Sequence, residues 1–434
     1  MRRMIMVAAV GFLAAPLAAQ QPAAAGGPQQ VTLQEAVRRA LQVQPAMVQA
    51  QGTLRNAHVS MLASNGEFLP AISTGGSWSR AGGTRFNSQT SQIVTTPTAS
   101  SYSGSISASV DLFTGFRRLA DRRASAATED AADAGLVNQR FQVTLLTTQA
   151  FYNAIATEEL VRVAEAQVAR ARQELQIAVD KLRAGSATRS DSLRSAVDLG
   201  NAQLALLQAQ ANLATAQANL GRQIGVDQPV RALPDSALPP LPDTTGLRTA
   251  VIGSAPSVRQ ADARARAAGS QVGVSRAAYF PTLSYSAGNT FTGKLAPWDD
   301  TGAYSKGWNV RVSLNWILFN GFTRERSMTS ASVARDIAEA QAADTRRGAS
   351  AQYTQQVAAL QTAFAKLAIT VSNVAATTED LRVQQERYRV GAATILDLLT
   401  SQASLTQAQT DQVQARFDYL IARAQLEALV GRNL

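Results

Sequence analysis

The sequence of 434 residues predicts an α+β membrane protein: a tandem-repeat protomer with four β-strands and long coiled-coil helices, built to share one β-barrel with other copies. Three observations predict it. The chain matches itself at a nearly constant offset, two segments alternate apolar and polar residues, and the stretch from Arg117 to Ala184 contains no proline.

Composition removes most other classes. Hydrophobic residues make up 46% and charged residues 17%, a globular balance rather than a disordered one. With no Cys, there is no disulfide framework, thiolate zinc site or Cys nucleophile. The single His, His58, leaves no partner for a His-cluster metal site and is expected at a surface or interface. Formal net charge is +10, but the Arg are scattered in runs no longer than two, so no nucleic-acid surface is expected. Ala81-Gly82-Gly83 lacks the context of a phosphate loop, and Arg122-Arg123 and Arg346-Arg347 read as solvated helix faces. No paired-carboxylate or nucleophile constellation stands out, so neither catalysis nor a cofactor is expected.

Taken in order, residues 1–20 read as a signal peptide. Arg2 and Arg3 precede an apolar run from Met4 to Leu13, and small residues end at Ala19. No later stretch offers the roughly 18 uninterrupted apolar residues of a transmembrane helix. Repeat 1 spans 31–225 and repeat 2 spans 247–434. Phe68-Leu69-Pro70 matches Tyr279-Phe280-Pro281, and Pro45 matches Pro256, at an offset of 211. Phe113-Thr114-Gly115-Phe116 matches Phe319-Asn320-Gly321-Phe322 at 206, and Arg183–Thr188 matches Arg389–Thr394 at the same offset. The joint, 226–246, is a Pro-rich linker.

Each repeat carries a strand pair. In 101–113, Tyr102, Gly104, Ile106, Ala108, Val110 and Leu112 face one way and serines with Asp111 the other. In 308–319, Trp308, Val310, Val312, Leu314, Trp316 and Leu318 face one way, with Asn309, Arg311, Ser313 and Asn315 opposite. Weaker alternation over about 71–80 and 282–292 supplies the partner strands, and the polar segments 81–100 and 292–307 read as long hairpin loops. The remainder is helical. Leu199, Leu206, Leu213 and Leu220 recur every seven residues with Ala202, Ala209 and Ala216 between them, a heptad seam; Ala408, Ala415 and Ala422 repeat its alanine row.

Strands of about ten residues with one apolar and one polar face suit a membrane barrel wall, and all four Trp fall in or beside the strands. Four strands cannot close a barrel, and an open edge in lipid is costly, so copies must share one. Two copies would give eight strands and a plugged interior; three would give twelve and a lumen lined by Ser and Asn. The small inward side chains favour the open lumen and hence a homotrimer.

With the duplication, the FLP and YFP lead-ins, the FxGF exits and the Gly-centred turns in place, the sequence resembles the TolC family of outer-membrane efflux proteins over essentially the whole mature chain. The resemblance implies a trimer whose barrel lies in outer-membrane lipid and continues into a periplasmic α-helical tunnel. It also implies the function of an exit duct in a tripartite efflux or type I secretion system. Its partners would be a periplasmic adaptor (membrane fusion protein) and an inner-membrane pump of RND or ABC type. The competing reading is an exported trimeric coil with a structural or adhesive role; strands divided between two repeats, rather than gathered in one C-terminal block, favour the duct.

The two turns read as a Gly helix stop followed by a Thr and an Asp that start the next helix. The resemblance makes them adaptor-docking tips, at Gly185, Ala187, Thr188, Gly391, Thr394 and Ile395. It also implies a periplasmic gate at Tyr388, Asp397 and Asp191. Thr400 stands where the family has a second gate Asp, and Ala393 where it has a latch Arg, with Arg389 as the candidate replacement.

Overall fold

The computed structural model describes residues 29–89, 91–234, 238–244, 246–294, 304–432 and 434. The expected signal peptide, Trp298 and most of segment 292–307 lie outside them.

Each half of the chain follows one plan. Strand β1 (Gln29–Val31) leads to α1 (Leu33–Val43) and α2 (Pro45–Gly66); the hairpin β2 (Ala71–Asn87) and β3 (Gln92–Phe113) follows, then α3 (Arg117–Arg183) and α4 (Arg189–Ile224). After β4 (Val230–Ala232), the plan repeats as α5 (Leu247–Ser254), α6 (Pro256–Arg276), β5 (Thr282–Gly293), β6 (Ser305–Asn315), α7 (Thr323–Arg389) and α8 (Ile395–Val430). Both α3 and α7 have 67 residues and both α4 and α8 have 36. At 1.5 Å per residue the longer pair reach about 100 Å. The repeated prolines explain the break between the paired short helices. A residue before proline is driven out of the helical region, and Gln44 (ψ 127°) and Ala255 (ψ 139°) are both extended.

The two hairpins join into one antiparallel sheet in the order β2-β3-β5-β6, because β3 pairs with β5 from Tyr102 opposite Gly293 to Phe113 opposite Leu283. The register places Trp78, Tyr102, Ile106, Val110, Tyr285, Phe291, Trp308, Val310 and Val312 on one face. Ser73, Ser103, Ser105, Ser107, Ser286, Arg311 and Ser313 share the other. The edge strands leave the apolar face exposed, with Trp308 at 81% and Trp78 at 61%, while Tyr102, Val110, Tyr285 and Phe291 on the central strands are half-buried. Strands β2 and β6 are the free edges of this sheet.

Strand bounds correct the sequence reading. Segment 81–100 is not a loop: β2 and β3 stay paired out to Asn87 opposite Gln92. An irregularity between Ala81 and Gly83 shifts the register, and beyond it the pair Phe86 and Ile93 makes too short an apolar period to read. In turn β6 begins at Ser305 and ends at Asn315, before Trp316 and Leu318; the Trp316 indole N–H donates to the Tyr279 carbonyl at 3.3 Å instead. Within the linker, Val230–Ala232 forms a strand parallel to Gln29–Val31, and three-residue strands carry too little pattern to be read.

The FxGF exits turn strand into helix through two successive left-handed residues: Gly115 and Phe116 (φ 62° and 67°), and Gly321 and Phe322 (φ 65° and 64°). Aromatic packing holds the strained Phe, edge-on to Phe113 at 5.3 Å in one repeat and to Phe319 at 5.5 Å in the other. A cation–π contact also recurs, Arg118 over Phe68 and Arg324 over Tyr279.

The main cores lie where the short helices meet the long ones. Phe151, Ile155, Leu220, Ile224 and Val230 pack with Phe417; Leu247, Val251 and Val258 pack with Leu360, Tyr419 and Leu426. The heptad seam is the buried face of α4, with Ala202 and Leu220 fully covered. Averaged rather than uninterrupted hydropathy marks one stretch that the sequence reading passed over: α7 holds an 18-residue window of mean hydropathy 1.3, only 17% of it buried. His58 is exposed on α2, its Nδ1 2.9 Å from the Glu129 carboxylate.

Candidate functional site

The two helical turns are built from the same bonds. At the end of α3, the Gly185 N–H donates to the Leu182 carbonyl and the Ser186 N–H to the Lys181 carbonyl, at 3.0 and 2.8 Å. At the end of α7, Gly391 donates to Tyr388 and Ala392 to Arg387, at 3.2 and 2.7 Å. This pair of bonds requires a left-handed residue, which Gly185 (φ 72°) and Gly391 (φ 81°) supply without a Cβ penalty. Each following helix starts with a reciprocal cap. The Thr188 N–H donates to Asp191 Oδ2 at 3.0 Å while the Asp191 N–H donates to Thr188 Oγ1 at 3.2 Å. Thr394 and Asp397 repeat this at 2.9 and 3.2 Å.

The expected tip residues do not share one face. Gly185, Thr188, Gly391 and Thr394 are exposed, and Ala187 is half-buried. Ile395 corrects the sequence reading: it is 3% exposed, packed with Leu381, Tyr388, Leu398 and Leu405. An isoleucine one residue past the cap begins the apolar stripe of α8, so it builds the tip rather than presenting itself. The exposed apolar side chains are Leu193, Val390 and Leu396, which sequence reasoning missed. Their signal was present in their spacing: Val390 directly precedes the Gly391 stop, Leu396 lies five residues after it, and Leu193 lies eight residues after Gly185.

The gate candidates also separate. Tyr388 is 6% exposed and points into the core between the two hairpins, where its hydroxyl has no hydrogen-bond partner among the described residues. Lys181 of the first hairpin donates to the Tyr388 carbonyl, and its ammonium lies 4.0 Å from the Tyr388 ring centroid. One residue of α3 thus ties down α7. Burial pushes the Tyr388 phenol above its usual range, with smaller contributions from the charges of Asp191 and Glu174. Asp397 faces out. Hydrogen bonds from the Thr394 backbone and then its hydroxyl hold the Asp397 carboxyl below the usual range, helped by Arg387. Arg389 is occupied on its own helix, its Nε 3.0 Å from Glu386.

This geometry has a family. The profile of the outer membrane efflux protein family matches residues 36–226 and 247–432, one block for each half of the chain. The probable efflux pump outer membrane protein TtgC of Pseudomonas putida is 27% identical over 190 residues, 43% of this chain and 38% of TtgC. The chain thus matches well under half the length of that relative. The pyoverdine export outer membrane protein OpmQ of Pseudomonas aeruginosa is 29% identical over 355 residues, 76% of this chain and 69% of OpmQ. The fold is that of the CmeC outer membrane channel of Campylobacter jejuni, with a TM-score of 0.81 at 17% identity, covering 92% of this chain and 85% of CmeC. The chain belongs to the outer membrane efflux protein family and resides in the outer membrane.

Proposed function

We propose that three copies of this chain form an exit duct: a twelve-stranded barrel in the outer membrane continuing into a helical tunnel across the periplasm. One observation carries the reading. The four-stranded sheet has a largely apolar face with exposed Trp78 and Trp308, a serine-rich opposite face and two edges without a partner strand among the described residues, β2 and β6. Free edges in lipid leave backbone groups unpaired at several kcal/mol each, and pairing β6 of one copy with β2 of the next removes the cost. The polar face then lines the lumen. The exposed apolar window of α7 becomes wall between copies.

The duct performs no chemistry. It receives cargo from an inner-membrane pump of RND or ABC type through a periplasmic adaptor, which docks on the exposed tip residues Gly185, Thr188, Gly391 and Thr394 and their apolar neighbours Val390 and Leu396. Asp397, Asp191 and Tyr388 control the narrow end: Asp397 and Asp191 as charges that also cap α8 and α4, and Tyr388 as the residue through which Lys181 joins the two hairpins. Purified protein in planar bilayers should give discrete channels of uniform conductance. Absence of channels from correctly folded protein would remove the duct.

A further inference from the structure

Glu174 sits three turns from the end of α3 and is 2% exposed, and neither of its carboxylate oxygens has a hydrogen-bond partner among the described residues. Helices from both halves of the chain converge on it. Its own helix carries Arg170, whose guanidinium turns to Thr406 and Gln409 on α8, at 3.3 and 3.5 Å. From α4 it is faced by Asp198, from α7 by Gln385 and the more distant Tyr388, and from α8 by Gln402, whose Nε2 also lacks a partner. Among the described residues, the one cation facing this carboxyl directs one guanidinium nitrogen to α8 and leaves its Nε without a partner, and a second carboxyl, Asp198, opposes Glu174.

We propose that Glu174 is a proton-operated clasp between the two helical hairpins, closed when the carboxyl is protonated and loosened when it ionises. The protonated acid is neutral, and its O–H can donate to either amide oxygen, Gln385 or Gln402, joining α3 to the second hairpin. The ionised acid places an unpaired charge in a dry interface beside Asp198, which costs free energy until the helices part and water enters. Burial raises the Glu174 carboxyl to about 7, with Asp198 adding to the rise and Gln385, Arg170 and Gln402 opposing it. Burial also raises Asp198. The clasp therefore works between mildly acidic and neutral pH. It rests on the duct reading only in its consequence, that a looser joint widens the narrow end.

A folded-state pKa above the unfolded one means the folded chain binds the extra proton, so stability is fully present below the unfolded value of 4.5 and is lost as pH rises to about 7. The melting temperature of the detergent-solubilised protein should fall between pH 5 and 7 and level off above. Glu174→Gln should flatten that slope and melt above wild type at pH 8. Asp198→Asn should move the slope to lower pH. Because the chain has no Cys, spin labels on cysteines placed at the exposed Leu193 and Leu396 report the joint with Glu174 intact. Their separation should lengthen from pH 5 to pH 8 and stay fixed in Glu174→Gln. An unchanged slope in Glu174→Gln, or a label separation independent of pH in the wild-type background, would overturn the clasp. Neither readout requires transport, so a failed clasp and a failed duct give different results.

Discussion

Asp397 Oδ2 accepts two hydrogen bonds from Thr394, from its backbone N–H at 2.9 Å and from its hydroxyl at 2.8 Å. One carboxylate therefore starts α8 and remains exposed as the proposed gate charge. The cap and gate roles can be separated by chemistry. Asp397→Asn keeps an acceptor oxygen for Thr394 but removes the charge, so it should raise single-channel conductance and weaken divalent-cation block with little change in melting. Asp397→Ala should change melting as well. If Asp397→Asn leaves conductance and block unchanged, Asp397 is a cap alone.

The cap itself has a pH signature. The folded Asp397 carboxyl lies below its ordinary value, so its contribution is present above about pH 4. It is lost as pH falls through the folded value. Thr394→Ala should cost about 1 kcal/mol, the usual worth of such a cap, and Thr394→Ser should restore most of it. Denaturant unfolding of the detergent-solubilised protein at neutral pH measures both.

The FxGF turns give a controlled pair. Both Gly115 and Gly321 are left-handed, so alanine at either carries a backbone penalty of about 1–2 kcal/mol. At Gly321 a Cβ meets open space, whereas at Gly115 it would stand 2.6 Å from both the Ala277 carbonyl oxygen and Phe280 Cβ. Gly115→Ala should therefore lower the melting temperature and the yield of membrane-inserted protein well beyond Gly321→Ala. Equal effects would show that the Gly115 contact relaxes at no cost.

At the tips, a Cβ on Gly391 also meets open space, so a large side chain there projects outward with only the left-handed backbone strained. Gly391→Trp should insert in the membrane and form channels but lose adaptor cross-linking and export. Full cross-linking by Gly391→Trp would move the docking surface elsewhere.

The long helices and the alternation of β3 and β6 were legible in the sequence because their signals are local and repeated: no proline in α3, a heptad seam in α4, serines opposite apolar residues from Tyr102 to Leu112. The far half of the β2–β3 hairpin was not, because the register shift between Ala81 and Gly83 interrupts the alternation and leaves Phe86 opposite Ile93 as a short apolar pair beyond Thr84 and Thr95. Nor was the parallel pairing of β1 with β4, which joins residues about 200 apart through three-residue strands. At the tips, the Gly stops and Thr–Asp caps follow from spacing alone. The inward turn of Tyr388 and Ile395 does not: Ile395 packs with Leu381, Leu398 and Leu405 across the α7–α8 hairpin, and Tyr388 is also held by Lys181 of the other repeat, pairings that sequence spacing does not display.

The central claim is that three chains close one barrel through the free edges β2 and β6. Native mass spectrometry of the protein released from detergent tests it most directly. The account predicts a dominant species of three chains that resists dissociation under conditions that strip the detergent. A stable monomer or dimer as the channel-forming species would contradict it.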